Sequence, residues 1–228
     1  SRINNLSMST KLATKALSLS RELNDKALIG KSLNQLSLFY MIQGEYKRSI
    51  TMAEEAITYF EELNDDKGIA DARYSIAGNY YKTDNYHLGL INLINCLATY
   101  QKYNDYHNQA RTQKSLGTIY EYFGDQKPAI NYYEAAIEAV KKANDISLES
   151  NVYNQLSGIY LKQNNIEAAQ AMIERAIAMK NQSGDIRGLA FSLYGMGKVY
   201  IKTGQFELAE AELKKSLKIH LDVGEKLG

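Results

Sequence analysis

Arg111 and Lys114 stand nearly one helical turn apart, close enough for the pair to hold a carboxylate, with the arginine as the better bidentate partner. Asn34, Asn151 and Asn154 each carry a carbonyl acceptor and two N–H donors, a set that pairs with a peptide backbone whatever its side chains. Tyr74, Phe191 and Tyr194 add flat apolar area that loses little rotamer entropy on contact, as interface anchors do. This is the chemistry of recognition. No comparable set exists for catalysis: His87, His107 and His220 make no metal-ligand spacing with one another or with Cys96, so no metal site and no other cofactor is expected. The acidic pairs Glu54-Glu55, Glu61-Glu62 and Asp65-Asp66 are adjacent, which turns the carboxylates apart on a helix or places one at a cap. Glycines lack a phosphate-loop spacing and no serine lies in a nucleophile elbow, so an enzyme active site is not expected.

Composition narrows the partners. The 228 residues are 45% hydrophobic and carry a formal charge of +1, which supports a long, thin core and gives no overall field for nucleic acid or membrane. A single cysteine excludes an internal disulfide, and no apolar run approaches the ~18 residues of a membrane helix. With no signal-peptide core at the amino terminus, the sequence reads as a soluble cytoplasmic protein without membrane insertion.

The elements that must position these side chains are written in a tyrosine that returns every forty residues, at Tyr40, Tyr80, Tyr120, Tyr160 and Tyr200. Self-similarity at such a period marks a solenoid. Four residues after each tyrosine come Gly44, Asp84, Gly124, Asn164 and Gly204, types that tolerate the left-handed conformation ending a helix. Small residues follow at Ser49, Gly89, Ala129, Ala169 and Ala209, and seven further on at Ala56, Cys96, Ala136, Ala176 and Ser216, on one face of a second helix. That helix closes on Asn24-Asp25, Asn64-Asp65, Asn104-Asp105, Asn144-Asp145 or Gly184-Asp185, where Asn or Gly ends one helix and Asp caps the next. Two helices of about eighteen residues, each roughly 27 Å long, fill every period. Pro128 falls in the first turn of a second helix, where its missing N–H costs little.

The pattern Leu116-Gly117-x-x-Tyr120, then Ala129-x-x-x-Tyr133 and Ala136, resembles the tetratricopeptide repeat, and the resemblance covers nearly the whole chain. It departs in two places. The expected tryptophan is Leu33, Arg73, Gln113, Tyr153 or Leu193, and the proline ending the second helix is absent. The forty-residue period resembles the long-helix subclass of Pins-type scaffolds, kinesin light chains, Rap-type regulators and sensory regions of bacterial signalling enzymes. The implied fold is all-α, a right-handed α-α superhelical solenoid of stacked antiparallel helix pairs. By this resemblance a concave groove is drawn from residues nine, six and two places before the tyrosine. Those are Lys31, Asp71, Arg111, Asn151 and Phe191; Asn34, Tyr74, Lys114, Asn154 and Tyr194; and Leu38, Gly78, Thr118, Gly158 and Lys198. Gly78 and Gly158 would leave room for a ligand. Thr118 replaces the asparagine of the co-chaperone carboxylate clamp, which sets that version of the family apart.

The expected organisation is one array: a half repeat at 1–24 built on a helix from about Leu6 to Leu23, repeats at 25–64, 65–104, 105–144, 145–184 and 185–224, and the start of another at 225–228. Both ends fall inside repeats, so a longer parent protein is expected. The function that follows is a scaffold binding a peptide or helical segment of a partner protein in the groove. The alternative is the regulatory, sensory or dimerising region of a bacterial signalling protein, such as a nucleotide cyclase or histidine kinase, with a homodimer formed through exposed terminal repeats. The tyrosines themselves are expected to pack, and alanine at Asn154 or Arg111 to leave the melting temperature nearly unchanged.

Overall fold

The computed structural model describes residues 2–225. Its helices are α1 (Arg2–Glu22), α2 (Lys26–Ile42), α3 (Tyr46–Glu62), α4 (Asp66–Lys82), α5 (Tyr86–Lys102), α6 (Tyr106–Tyr122), α7 (Gln126–Ala143), α8 (Ile146–Lys162), α9 (Ile166–Ser183), α10 (Ile186–Lys202) and α11 (Phe206–Glu225). No strand occurs among the described residues. The first helix begins at Arg2 rather than near Leu6, because nothing in Arg2-Ile3-Asn4-Asn5 breaks a helix. Of the expected further repeat at 225–228, all but Glu225 lies outside the described residues.

Every turn is built alike, which is why the period survives. The residue forty apart in each turn has a positive φ: Asn24, Asn64, Asn104, Asn144 and Gly184 after one set of helices, Gly44, Asp84, Gly124, Asn164 and Gly204 after the other. The next residue's N–H reaches back across the turn, as from Asp25 to Ser20 O at 3.0 Å and from Glu45 to Tyr40 O at 2.9 Å. Asp25, Asp65, Asp145 and Asp185 then accept from the N–H three residues on, closing the next helix's first turn. Asp125 makes no such bond, because the residue three on is Pro128, which has no N–H to give.

Two compact units divide the chain, Ser1–Asp105 and Tyr106–Gly228. In the first, the core gathers Leu33, Leu36, Tyr40, Ala53, Phe60 and Ile76 from α2, α3 and α4, with Tyr80 partly buried against it. In the second, Tyr133, Val152, Leu156 and Ile159 form one cluster and Ala169, Ile173, Met196 and Val199 another. Tyr120 packs on the former, Tyr200 on the latter and Tyr160 on both, so Tyr160 joins the two neighbouring clusters. The small-residue stations are the close crossings. A Cβ on Gly117 would lie 2.7 Å from the Tyr133 ring, and one on Gly197 the same distance from Leu213.

One small-residue station differs from its counterparts in the other repeats. Ala16, the counterpart of buried Ala56, is exposed, because this station packs on the preceding helix of its own pair and no described helix precedes α1. Cys96 and Ser216, which replace alanine there, donate to Ala70 O at 3.2 Å and Ala190 O at 2.7 Å. Burial pushes the Cys96 thiol up to about 12, so it stays protonated and packs as a small residue. At α10 and α11, Ile201, Phe206, Leu213 and Leu217 line an open apolar groove of about 340 Å³; the same stations at Leu161, Ile166 and Ile173 lie against Met196 and Val199 of α10.

Candidate interaction site

Positions nine, six and two before the tyrosine fall within about 60° of one another around a helix of 3.6 residues per turn. Their shared side is common to neighbouring helices. In the first unit α2 adjoins α4, and in the second α6 adjoins α8 and α8 adjoins α10, whereas no two second helices approach as closely within either unit. The first helices therefore line the inner side of each stack.

In the first unit Lys31 is exposed, and Asn34, Leu38, Asp71, Tyr74 and Gly78 are half-buried. In the second, Arg111, Lys114, Thr118, Asn151, Asn154 and Gly158 are half-buried, while Phe191, Tyr194 and Lys198 are exposed. The second unit thus brings two polar helical turns, on α6 and α8, beside an aromatic one on α10. The Lys198 ammonium lies 5.6 Å from the centre of the Tyr194 ring, and Phe191 meets His220 edge to face at 5.1 Å. A Cβ on Gly158 would have no atom within 4 Å, so this position opens onto free space. Gly78 differs from expectation: Met41 Sδ lies 3.1 Å from where its Cβ would be, and the room there is already filled.

Many of the polar groups also hold the fold. Asn34 Oδ1 accepts from Ser75 Oγ at 3.0 Å, and Asp71 Oδ1 from the Tyr100 hydroxyl at 2.6 Å. Asn154 and Ser192 face each other across α8 and α10 at 2.9 and 3.1 Å. Arg111 donates to Asn108 Oδ1 at 3.1 Å, and Thr118 donates to Lys114 O at 3.0 Å and shares a bond with the Tyr133 hydroxyl at 3.1 Å. Alanine at Asn154 would remove this tie between two first helices, so it is expected to lower the melting temperature rather than leave it nearly unchanged. Burial, and after it the Arg111 charge, holds the Lys114 ammonium below the usual lysine pKa. An anion placed there would offset the Arg111 charge and favour the ammonium form.

Residues 68–142 and 148–222 match the tetratricopeptide repeat, as do residues 30–67. The chain belongs to the tetratricopeptide repeat family. Solved structures agree on the fold of this repeat array. BtubC (BKLC) from P. vanneervenii is 20% identical with a TM-score of 0.82, over 96% of this chain and 92% of that one. The apo form of RapI is 16% identical with a TM-score of 0.74, over 98% and 94%. The Rap conjugation gene regulator of the plasmid pLS20 is 15% identical with a TM-score of 0.70, over 87% of this chain and 55% of that one. No curated protein matches the sequence.

Within the tetratricopeptide frame, one residue escapes a reading by sequence. Twenty places after the periodic tyrosines stand Phe60, Tyr100, Val140, Lys180 and His220; the first four are buried near the ends of their helices, and among those Lys180 is the anomaly. Its side chain has no exposed surface, and its ammonium donates to Asn151 Oδ1 at 2.8 Å and Asp185 Oδ2 at 2.6 Å. A lysine in an otherwise mainly apolar row was the available signal. Among the described residues no group of His, Cys, Asp and Glu could hold a metal ion, and no helix is long and apolar enough to cross a membrane.

Proposed function

We propose that this repeat array is a protein-interaction module, and that the inner side of α6, α8 and α10 binds a peptide or a helical segment of another protein. The observation that carries the reading is the open floor at Gly158 between half-buried polar side chains on α8 and the exposed rings of Phe191 and Tyr194 on α10. A ligand seated there could bury the two rings and lay its backbone over the asparagines. Lys114 favours an acidic group on that ligand, since its ammonium is partly desolvated beside a second cation. The pLS20 Rap regulator, which shares the fold, is solved in complex with the Phr* peptide, and that precedent supports peptide as the ligand class.

The test is selection of binders from a phage-displayed library of random nine-residue peptides, followed by titration of the selected peptides. Replacing Phe191 and Tyr194 with alanine removes rings that are 63% and 52% exposed, so melting should hold while affinity falls about tenfold or more, as for interface aromatics. Unchanged affinity would move the site to the outer face or the turns.

A further inference from the structure

Lys180 belongs to α9, a second helix that contributes nothing to the inner side, yet it reaches a side chain there. Its ammonium is enclosed by Asn151 of α8, by Asp185 at the cap of α10, and by the bare Cα of Gly188. A Cβ at Gly188 would lie 2.5 Å from Lys180 Nζ, so glycine is what leaves space for the ammonium. Asp185 completes the pocket: one carboxylate oxygen accepts a hydrogen bond from the Lys180 ammonium and the other caps α10 through Gly188 N–H at 2.9 Å. The lysine is therefore held at a fixed point and has two acceptors in fixed places.

An ammonium has only donors to offer. The atom of Asn151 that faces it must be the carbonyl oxygen, which turns the amide nitrogen with both its N–H groups away from the lysine. Ser192 imposes no such choice on Asn154, because a hydroxyl can donate or accept. We infer that Lys180 is a positioning and specificity-determining residue: it locks Asn151 with donors outward, so that this turn of the proposed site accepts a ligand's carbonyl or carboxylate oxygen and rejects an N–H. The inference rests on the proposed peptide-binding role of the inner side and sharpens it, since Lys114 and Arg111 are likewise donors only.

The same nine-residue phage library supplies the probes. Asn151→Asp keeps an oxygen for Lys180 and so keeps the fold, but presents an acceptor outward; the peptides selected by the unaltered chain should bind it about tenfold more weakly, a difference of 1.4 kcal/mol. Lys180→Met, tolerable where Phe60 and Val140 serve in other repeats, frees the Asn151 amide to turn and should weaken the same peptides about fivefold, the scale of one hydrogen bond. The deciding measurement is a double-mutant cycle. In an Asn151→Ala background, Lys180→Met should have no further effect on affinity, because nothing is left for it to position. Equal weakening in both backgrounds would overturn the inference and leave Lys180 a structural residue. Peptides that bind Asn151→Asp as tightly as the unaltered chain would overturn it as well. Should the unaltered chain select no peptide, the interaction reading fails and takes this one with it. Peptides sensitive to Phe191 and Tyr194 but with an additive cycle would sink only the role of Lys180.

Discussion

At the residue scale, the most consequential contact is the pair of Lys180 and Asp185. Hydrogen bonding to Lys180 first, and to Gly188 N–H second, holds the Asp185 carboxyl below the ordinary aspartate value of 3.8. A carboxyl lowered on folding stabilises fully above that value and loses its contribution as pH falls through the lower, folded-state one. Asp185→Asn should retain the cap, since asparagine caps as well as aspartate, but leave the buried ammonium without its counter-charge. Breaking a fully buried pair costs about 3–5 kcal/mol, and we expect roughly 2 because a third of the Asp185 side chain faces water. Denaturant titrations across pH should show this gap at neutrality and its narrowing in strong acid. A gap that is constant with pH would remove the charge from the explanation. The sequence shows Asp185 as a cap and Lys180 as the lysine of a mainly apolar row, but not that the two pair: the burial of Lys180 follows from the room at Gly188 and from partners 29 and 5 residues away.

At the element scale, turns and helices follow from local chemistry. Asp, Asn and Gly recur at the left-handed residue of each turn, and side-chain caps follow it at Asp25, Asp65, Asp145, Asn165 and Asp185. The one cap with a sequence-encoded defect gives a graded prediction. Asp65→Ala removes a bond to Gly68 N–H at 2.9 Å and should cost about 1 kcal/mol. Asp125→Ala, before Pro128, has no such bond to lose and should cost a few tenths, about the scale of a residual dipole interaction. Urea midpoints of the two variants would separate these values; equal losses would show that the cap bond is not what matters. The asparagines are less readable. Asn34 and Asn154 carry the same chemistry as Asn151, but which amide is taken up by a neighbouring helix depends on Ser75 and Ser192, contributed by the next repeat.

At the scale of the whole molecule, each helix meets chiefly those beside it in the stack, so stability is carried by neighbour contacts rather than one common core. Leu33→Ala empties a fully buried position in the first unit and should cost about 2–5 kcal/mol. Hydrogen exchange should then quicken in α1 to α4 while α8 to α10 keep their protection; uniform loss would mean that the chain unfolds as a single block. The sequence by itself determined the all-helical repeat, its period, its turns and its packing stations, because these depend on residues within one or two turns of each other and recur until chance is excluded. The spacing nine, six and two before the tyrosine also places those positions on one side of their helix. Only the tertiary structure decided which of those side chains the fold already holds, that Gly78 is filled and Gly158 open, and that a lysine can be buried, because each depends on what the adjoining repeat places within about 3 Å, the reach of a hydrogen bond.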